Sequence, residues 1–102
     1  MGTEESSEYV KARALLLAEY FGQRGWTVTA GKNNCILIYV PADKIFNYTA
    51  DQLMTVISES DFHVKETGLK TSFVSYRFYY KGEFYKKLDV FSRGEYDLYD
   101  EE

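Results

Sequence analysis

Apolar residues recur along this chain at two different spacings, and the switches between them divide it into elements. Val10, Ala14, Leu17 and Phe21 fall at helical intervals, and Tyr9, Leu16 and Tyr20 widen their stripe. Ser6 and Ser7 are candidate N-caps, Glu8 suits the positive end of a helix dipole, and Gly22 and Gly25 supply stop signals. A helix is predicted from about Ser7 to Phe21 or Arg24. Trp26 to Ala30 reads as a short strand, and Gly31-Lys-Asn-Asn34 as a turn. Cys35 to Val40 is apolar on both sides, with Ile36, Ile38 and Val40 on one and Cys35, Leu37 and Tyr39 on the other. Such a strand is expected to be central and covered on both faces, and Pro41 ends it.

Thr49-Ala-Asp-Gln52 has the form of a capping box. Behind it Ala50, Leu53, Met54, Val56 and Ile57 share a helical face, which predicts a helix from about Ala50 to Ser60. Ile45, Phe46 and Tyr48 precede it as an apolar connector. Phe62 to Glu66 alternates and reads as a strand, and Thr67-Gly68 as a turn.

The stretch from Phe73 to Phe91 is a hairpin of unusual aromatic density, with eight aromatic residues around a Lys81-Gly82-Glu83 break. A three-residue loop pairs Tyr80 with Phe84, Tyr76 with Leu88 and Val74 with Val90, which gathers the apolar residues on one face. A two-residue turn would set Val74 against Asp89. A one-residue slip exchanges the faces of every side chain, so the pattern favours the first register. The second face then carries Phe73, Tyr79, Tyr85 and Phe91, interleaved with Ser75, Arg77, Lys87 and Asp89.

The predicted order is α-β-β-α-β-β-β, an α+β fold with two helices packed on a mainly antiparallel sheet of about five strands. Residues 1–94 form one domain, and 95–102 an acidic C-terminal tail carrying Glu95, Asp97, Asp100, Glu101 and Glu102. The predicted core is Val10, Ala14, Leu17, Phe21, Val28, Ile36, Ile38, Leu53, Ile57, Val64, Val74, Tyr76, Phe78 and Leu88.

Charge changes this picture in one respect. The net charge is −4, yet the two ends hold eight acids and no base, so Tyr9–Gly94 is about +4. The acidic sum therefore does not by itself exclude a polyanionic partner. A single cysteine, Cys35, leaves no internal disulfide and fits a reducing compartment, so a cytoplasmic location is expected. No apolar run approaches a membrane span, and no membrane partner is expected.

Chemistry-bearing motifs are missing. One histidine, His63, does not make a metal site with Cys35 and scattered acids, and it reads as the outward residue of a strand. Neither Gly22-Gln-Arg-Gly25 nor Gly31-Lys-Asn-Asn34 has the spacing of a phosphate loop. The chain is therefore expected to be non-enzymatic, with no metal and no cofactor. In length, acidity and tyrosine content it resembles small proteins of phages and mobile elements, among them inhibitors and immunity proteins.

The aromatic hairpin points to contact with a partner. The first reading is a protein-interaction module, an inhibitor, immunity-type or adaptor protein. Its contact residues would be Phe73, Arg77, Tyr79, Tyr85, Lys87 and Phe91, aided by the acidic tail. A twofold homodimer through a sheet edge is a related expectation. The alternative is a single-stranded nucleic-acid binder, in which bases stack on Tyr79 and Tyr85 while Arg77 and Lys87 follow the phosphates.

Overall fold

The computed structural model describes residues 8–42, 46–69, 73–91 and 95–99. Two helices and a five-stranded mixed sheet follow one another as α1 (Glu8–Gly22), β1 (Thr27–Ala30), β2 (Cys35–Val40), α2 (Ala50–Lys65), β3 (Val74–Tyr80), β4 (Glu83–Val90) and β5 (Tyr96–Tyr99). The fold is α+β in the expected order. The strands lie side by side in sequence order. All neighbours are antiparallel except β2 and β3, which run parallel. A parallel pair needs a crossover, and α2 supplies it.

Both helices lie on one face of the sheet. Val10, Leu17 and Phe21 of α1 and Leu53, Ile57 and Val64 of α2 share a single core cluster with Ile36, Ile38, Val74, Tyr76, Phe78 and Leu88. Every expected core residue is buried except Val28, which is partly buried against the same cluster. Within the core sits a charge that hydrophobic periodicity did not reveal. Arg13 is 3% exposed. Its guanidinium donates to the Tyr76 hydroxyl at 2.9 Å, the Tyr9 hydroxyl at 3.3 Å and the Asp61 carboxylate at 2.5 Å. One side chain of α1 is thereby tied to α2 and to β3. Burial opposes its charge, but the oxygens of Tyr76, Asp61 and Tyr9 outweigh that and raise its pKa. Burial pushes the Tyr76 hydroxyl up to about 12, against the pull of Arg13.

Three local expectations are corrected. The strand expected over Phe62–Glu66 is instead the last turn of α2 and its C-cap. The buried stripe Leu53, Ile57, Ser60, Val64 continues at helical spacing through a serine whose hydroxyl returns to the Ile57 carbonyl at 2.7 Å. Phe62 is thus left 67% exposed on the outside of the helix. His63, expected on a strand, is half-buried on α2, with its ring 6.0 Å from that of Tyr20. Finally, part of the segment read as a tail is structural, because Tyr96–Tyr99 pairs with Lys87–Val90 as edge strand β5. Asp100, Glu101 and Glu102 lie outside the described residues, as do the candidate caps Ser6 and Ser7.

The hairpin uses both registers considered for it. Val74 faces Val90, Tyr76 faces Leu88 and Phe78 faces Lys86, as the apolar pattern demands. At the tip, Lys81 and Gly82 both have positive φ (56° and 78°), the signature of a two-residue type I′ turn. That turn sets Tyr80 against Glu83 and Tyr79 against Phe84, in place of the expected Tyr80–Phe84 pair. One extra residue in β4, Tyr85, absorbs the mismatch as a bulge. The Thr49 capping box is present in full, with Gln52 N–H donating to Thr49 Oγ1 at 3.2 Å and Thr49 N–H to Gln52 Oε1 at 2.8 Å.

These contacts set three expectations for stability. Leu17→Ala, at a fully buried position, should cost about 2–5 kcal/mol in urea unfolding. Lys81→Asn should stabilise the hairpin by up to about 1 kcal/mol, since lysine is strained at the positive φ that asparagine tolerates. The third concerns pH. A tyrosine whose folded pKa lies above its unfolded value of 10.0 favours the folded state fully below that pH, and the benefit is lost as pH climbs towards about 12. Urea midpoints measured across this alkaline range should fall less steeply for Tyr76→Phe than for the parent protein.

Candidate functional site

The face of the sheet opposite the helices carries no described helix. Strand alternation gives it every second residue, and the registers set those residues in four rows across the strands. The first is aromatic: Tyr39, Tyr79 and Phe84 on β2, β3 and β4. The rings of Tyr39 and Tyr79 stack at 5.2 Å, and Phe84 meets Tyr79 edge-on at 6.1 Å. The second row is Leu37, Arg77, Lys87 and Tyr99. Here the Lys87 ammonium lies 4.5 Å from the centre of the Tyr99 ring, a cation–π contact. The third row is Cys35, Ser75, Asp89 and Asp97. The fourth is the pair Phe73 and Phe91, whose rings lie 5.1 Å apart.

Of the six contact residues expected from sequence, this face holds Phe73, Arg77, Tyr79, Lys87 and Phe91. Tyr85 is the exception. The bulge puts its ring 4.5 Å from Phe46, and its hydroxyl donates to the Tyr48 carbonyl at 3.0 Å. It belongs to an aromatic cluster on the helix side, where Phe46 also meets Trp26, Tyr48 and Tyr80. Glu95 and Asp97, expected in a free tail, flank and enter β5.

Four contributors escaped the sequence reading. Tyr39 and Leu37 were expected to be covered because β2 is apolar on both sides. Among the described residues no second layer covers that side, and Tyr39 is 41% exposed. Phe84 was assigned to the opposite face by the idealised register. Tyr99, also 41% exposed, was read as part of the tail. The alternation Tyr96-Asp-Leu-Tyr99 was the available signal, since Leu98 packs on the core opposite Leu88.

Elsewhere the surface offers less. Cys35 is buried, as expected. Among the described residues no group of three potential metal ligands comes together, and no helix is long and apolar enough to cross a membrane. A groove of about 280 Å³ runs between α1 and β1, lined by Ala14, Leu15, Ala18, Val28 and Ala30 among others. Lys11 and Thr29 are the polar members of an otherwise apolar lining, fewer polar groups than orient a small substrate in a typical pocket. β1 is a sheet edge, as anticipated for Trp26–Ala30, whereas both hairpin strands are interior.

No protein-family model matches this chain, and no curated protein or solved structure is significantly similar to it.

Proposed function

We propose that this chain is a non-enzymatic protein-interaction module of the inhibitor, immunity or adaptor kind, and that the helix-free face of its sheet is the contact surface. One observation carries the reading: both helices cover the same face, so the Tyr39–Tyr79–Phe84 stripe looks outward with no layer over it among the described residues. Tyrosine suits that role because it offers a large area with few rotors to freeze and a hydroxyl that can hydrogen-bond. Aromatic residues and arginine are also the types enriched at the centres of interfaces.

The charge pattern favours a protein over a nucleic acid. Arg77 and Lys87 form one row, but Asp89 and Asp97 form the next at about 6–7 Å. A polyanion crossing the face would meet both signs. A folded partner with its own mixed charges would not be penalised. The aromatic and cationic elements of the nucleic-acid reading are therefore present without a continuous basic track.

Capture experiments with tagged protein, scored for any bound protein including an untagged copy of itself, test the proposal. Tyr39→Ala combined with Tyr79→Ala should reduce capture at least about tenfold at unchanged melting temperature, as truncation of central aromatic contacts does. Undiminished capture by the folded double variant would remove this face from the account. Labelled single-stranded DNA and RNA should not bind at low salt. Tight binding that falls steeply as salt is added would replace the protein partner with a nucleic acid.

A further inference from the structure

The four rows of the open face are complementary to themselves. Counted along the strands they run aromatic, cationic, anionic, aromatic. Consider a twofold axis parallel to the rows and midway between the second and third. Rotation by 180° about it lays the first row of one copy over the fourth row of another, and the second over the third, while each strand stays over its own counterpart. Tyr79 and Phe84 then meet Phe73 and Phe91 of the second copy. Arg77 meets Ser75. Lys87 meets Asp89, and the symmetry repeats each contact. From these matches we infer that the occupant of the open face is a second copy of this chain, packed sheet against sheet about this axis. The inference rests on the interaction reading above and names its partner.

Three physical points support the match. A twofold interface uses the same patch on both copies, so a patch that contacts itself must carry opposite charges on opposite sides of the axis. Lys87 and Asp89 do so, two residues apart on β4. Asp89 is half-buried, and its Oδ1 atom, enclosed by its own chain, has no hydrogen-bond partner among the described residues; rotation of the carboxylate would turn that oxygen outward to an ammonium of the second copy. The dimensions are also of the right order. Strands of 4, 6, 7, 8 and 4 residues, about 4.8 Å apart with a rise of about 3.3 Å per residue, give roughly 460 Å² of flat area per copy, so two copies come close to the ~1,000 Å² that marks a specific interface. Packed sheets of this kind keep their strands aligned to within about 30° at a spacing of about 10 Å, which lets side chains from both faces interdigitate.

The charge pair makes a decisive test. Sedimentation equilibrium of the full chain should show a dimer at micromolar concentration. Lys87→Glu and Asp89→Lys, each tested alone, should weaken dimerisation at least about tenfold, because each sets like charges against one another twice. Mixing the two variants should restore a dimer of near-parental affinity, since each supplies the sign that the other lacks. Circular dichroism establishes that each variant folds. Should Asp89→Lys fail to fold, carbodiimide cross-linking of mixed isotope-labelled and unlabelled parent protein replaces it. That experiment should yield a Lys87–Asp89 link between a labelled and an unlabelled chain.

A monomer at every concentration up to the high micromolar range overturns the inference. So does a dimer indifferent to either single variant, or a mixture that fails to reassociate. If the chain stays monomeric yet captures another protein in a Tyr79-dependent manner, this inference falls and the interaction reading stands. If it is monomeric and captures nothing, both fall.

Discussion

A single guanidinium ties the architecture together. Arg13 is charged and almost wholly buried, and a buried charge is tolerable only where its donors are met. Asp61 of α2 meets it from one side and the Tyr76 hydroxyl of β3 from another. Lys65 adds a second cation to Asp61 at 3.3 Å. Each of these acceptors can reach Arg13 only if α1 and α2 lie together on the same side of β3. A helix moved to the opposite face would leave a charge and a hydroxyl stranded in an apolar interior. The polar contact therefore ties both helices to the covered face, while the surrounding Val10, Leu17, Phe21, Leu53 and Ile57 supply the burial that makes the layer stable.

The open face follows from that arrangement. A sheet with helices on one side buries its alternate residues on that side and exposes the others to solvent or to a partner. Most antiparallel sheets meet this by making the second set polar. Here the second set includes Tyr39, Tyr79, Phe84, Phe73, Phe91 and Tyr99, alternating with charges of both signs. Tyrosine reconciles the two demands, because its ring prefers contact and its hydroxyl tolerates water.

The sequence was legible where one physical rule acted alone. Helical spacing found the buried stripe of α1, the Thr49–Gln52 pair found the start of α2, and strand alternation found the body of the hairpin. It was less legible where two rules competed. At the hairpin tip the type I′ turn demanded one register and the apolar face another, and the bulge that satisfied both moved Tyr85 off the site and brought Phe84 onto it. At the end of α2 a buried serine interrupted the apolar stripe, so Phe62–Glu66 looked like a strand. The acids of the final segment masked the alternation of β5. Arg13 gave no signal of burial, because its partners on the other elements, Asp61 and Tyr76, lie 48 and 63 residues away along the chain. The apolar sides of the strands set the face that the helices cover, and such distant pairs tie both helices to it.

The aromatic cluster on the helix side gives the protein a built-in optical gauge. The chain has one tryptophan, Trp26, among ten tyrosines. Its ring stacks on Phe21 at 5.3 Å and meets Phe46 and Tyr48 edge-on, both at 5.6 Å. Phe46 in turn touches Tyr80 and Tyr85 on either side of the hairpin tip. A single tryptophan thus sits where the end of α1, the segment before α2 and the tip of the hairpin converge. Light absorbed by tyrosines such as Tyr48, whose ring meets that of Trp26, passes to Trp26 more efficiently while those segments are assembled. Emission from this one residue therefore follows the integrity of the whole helix-side layer, and it does so from the face that a partner on the other side of the sheet would leave untouched.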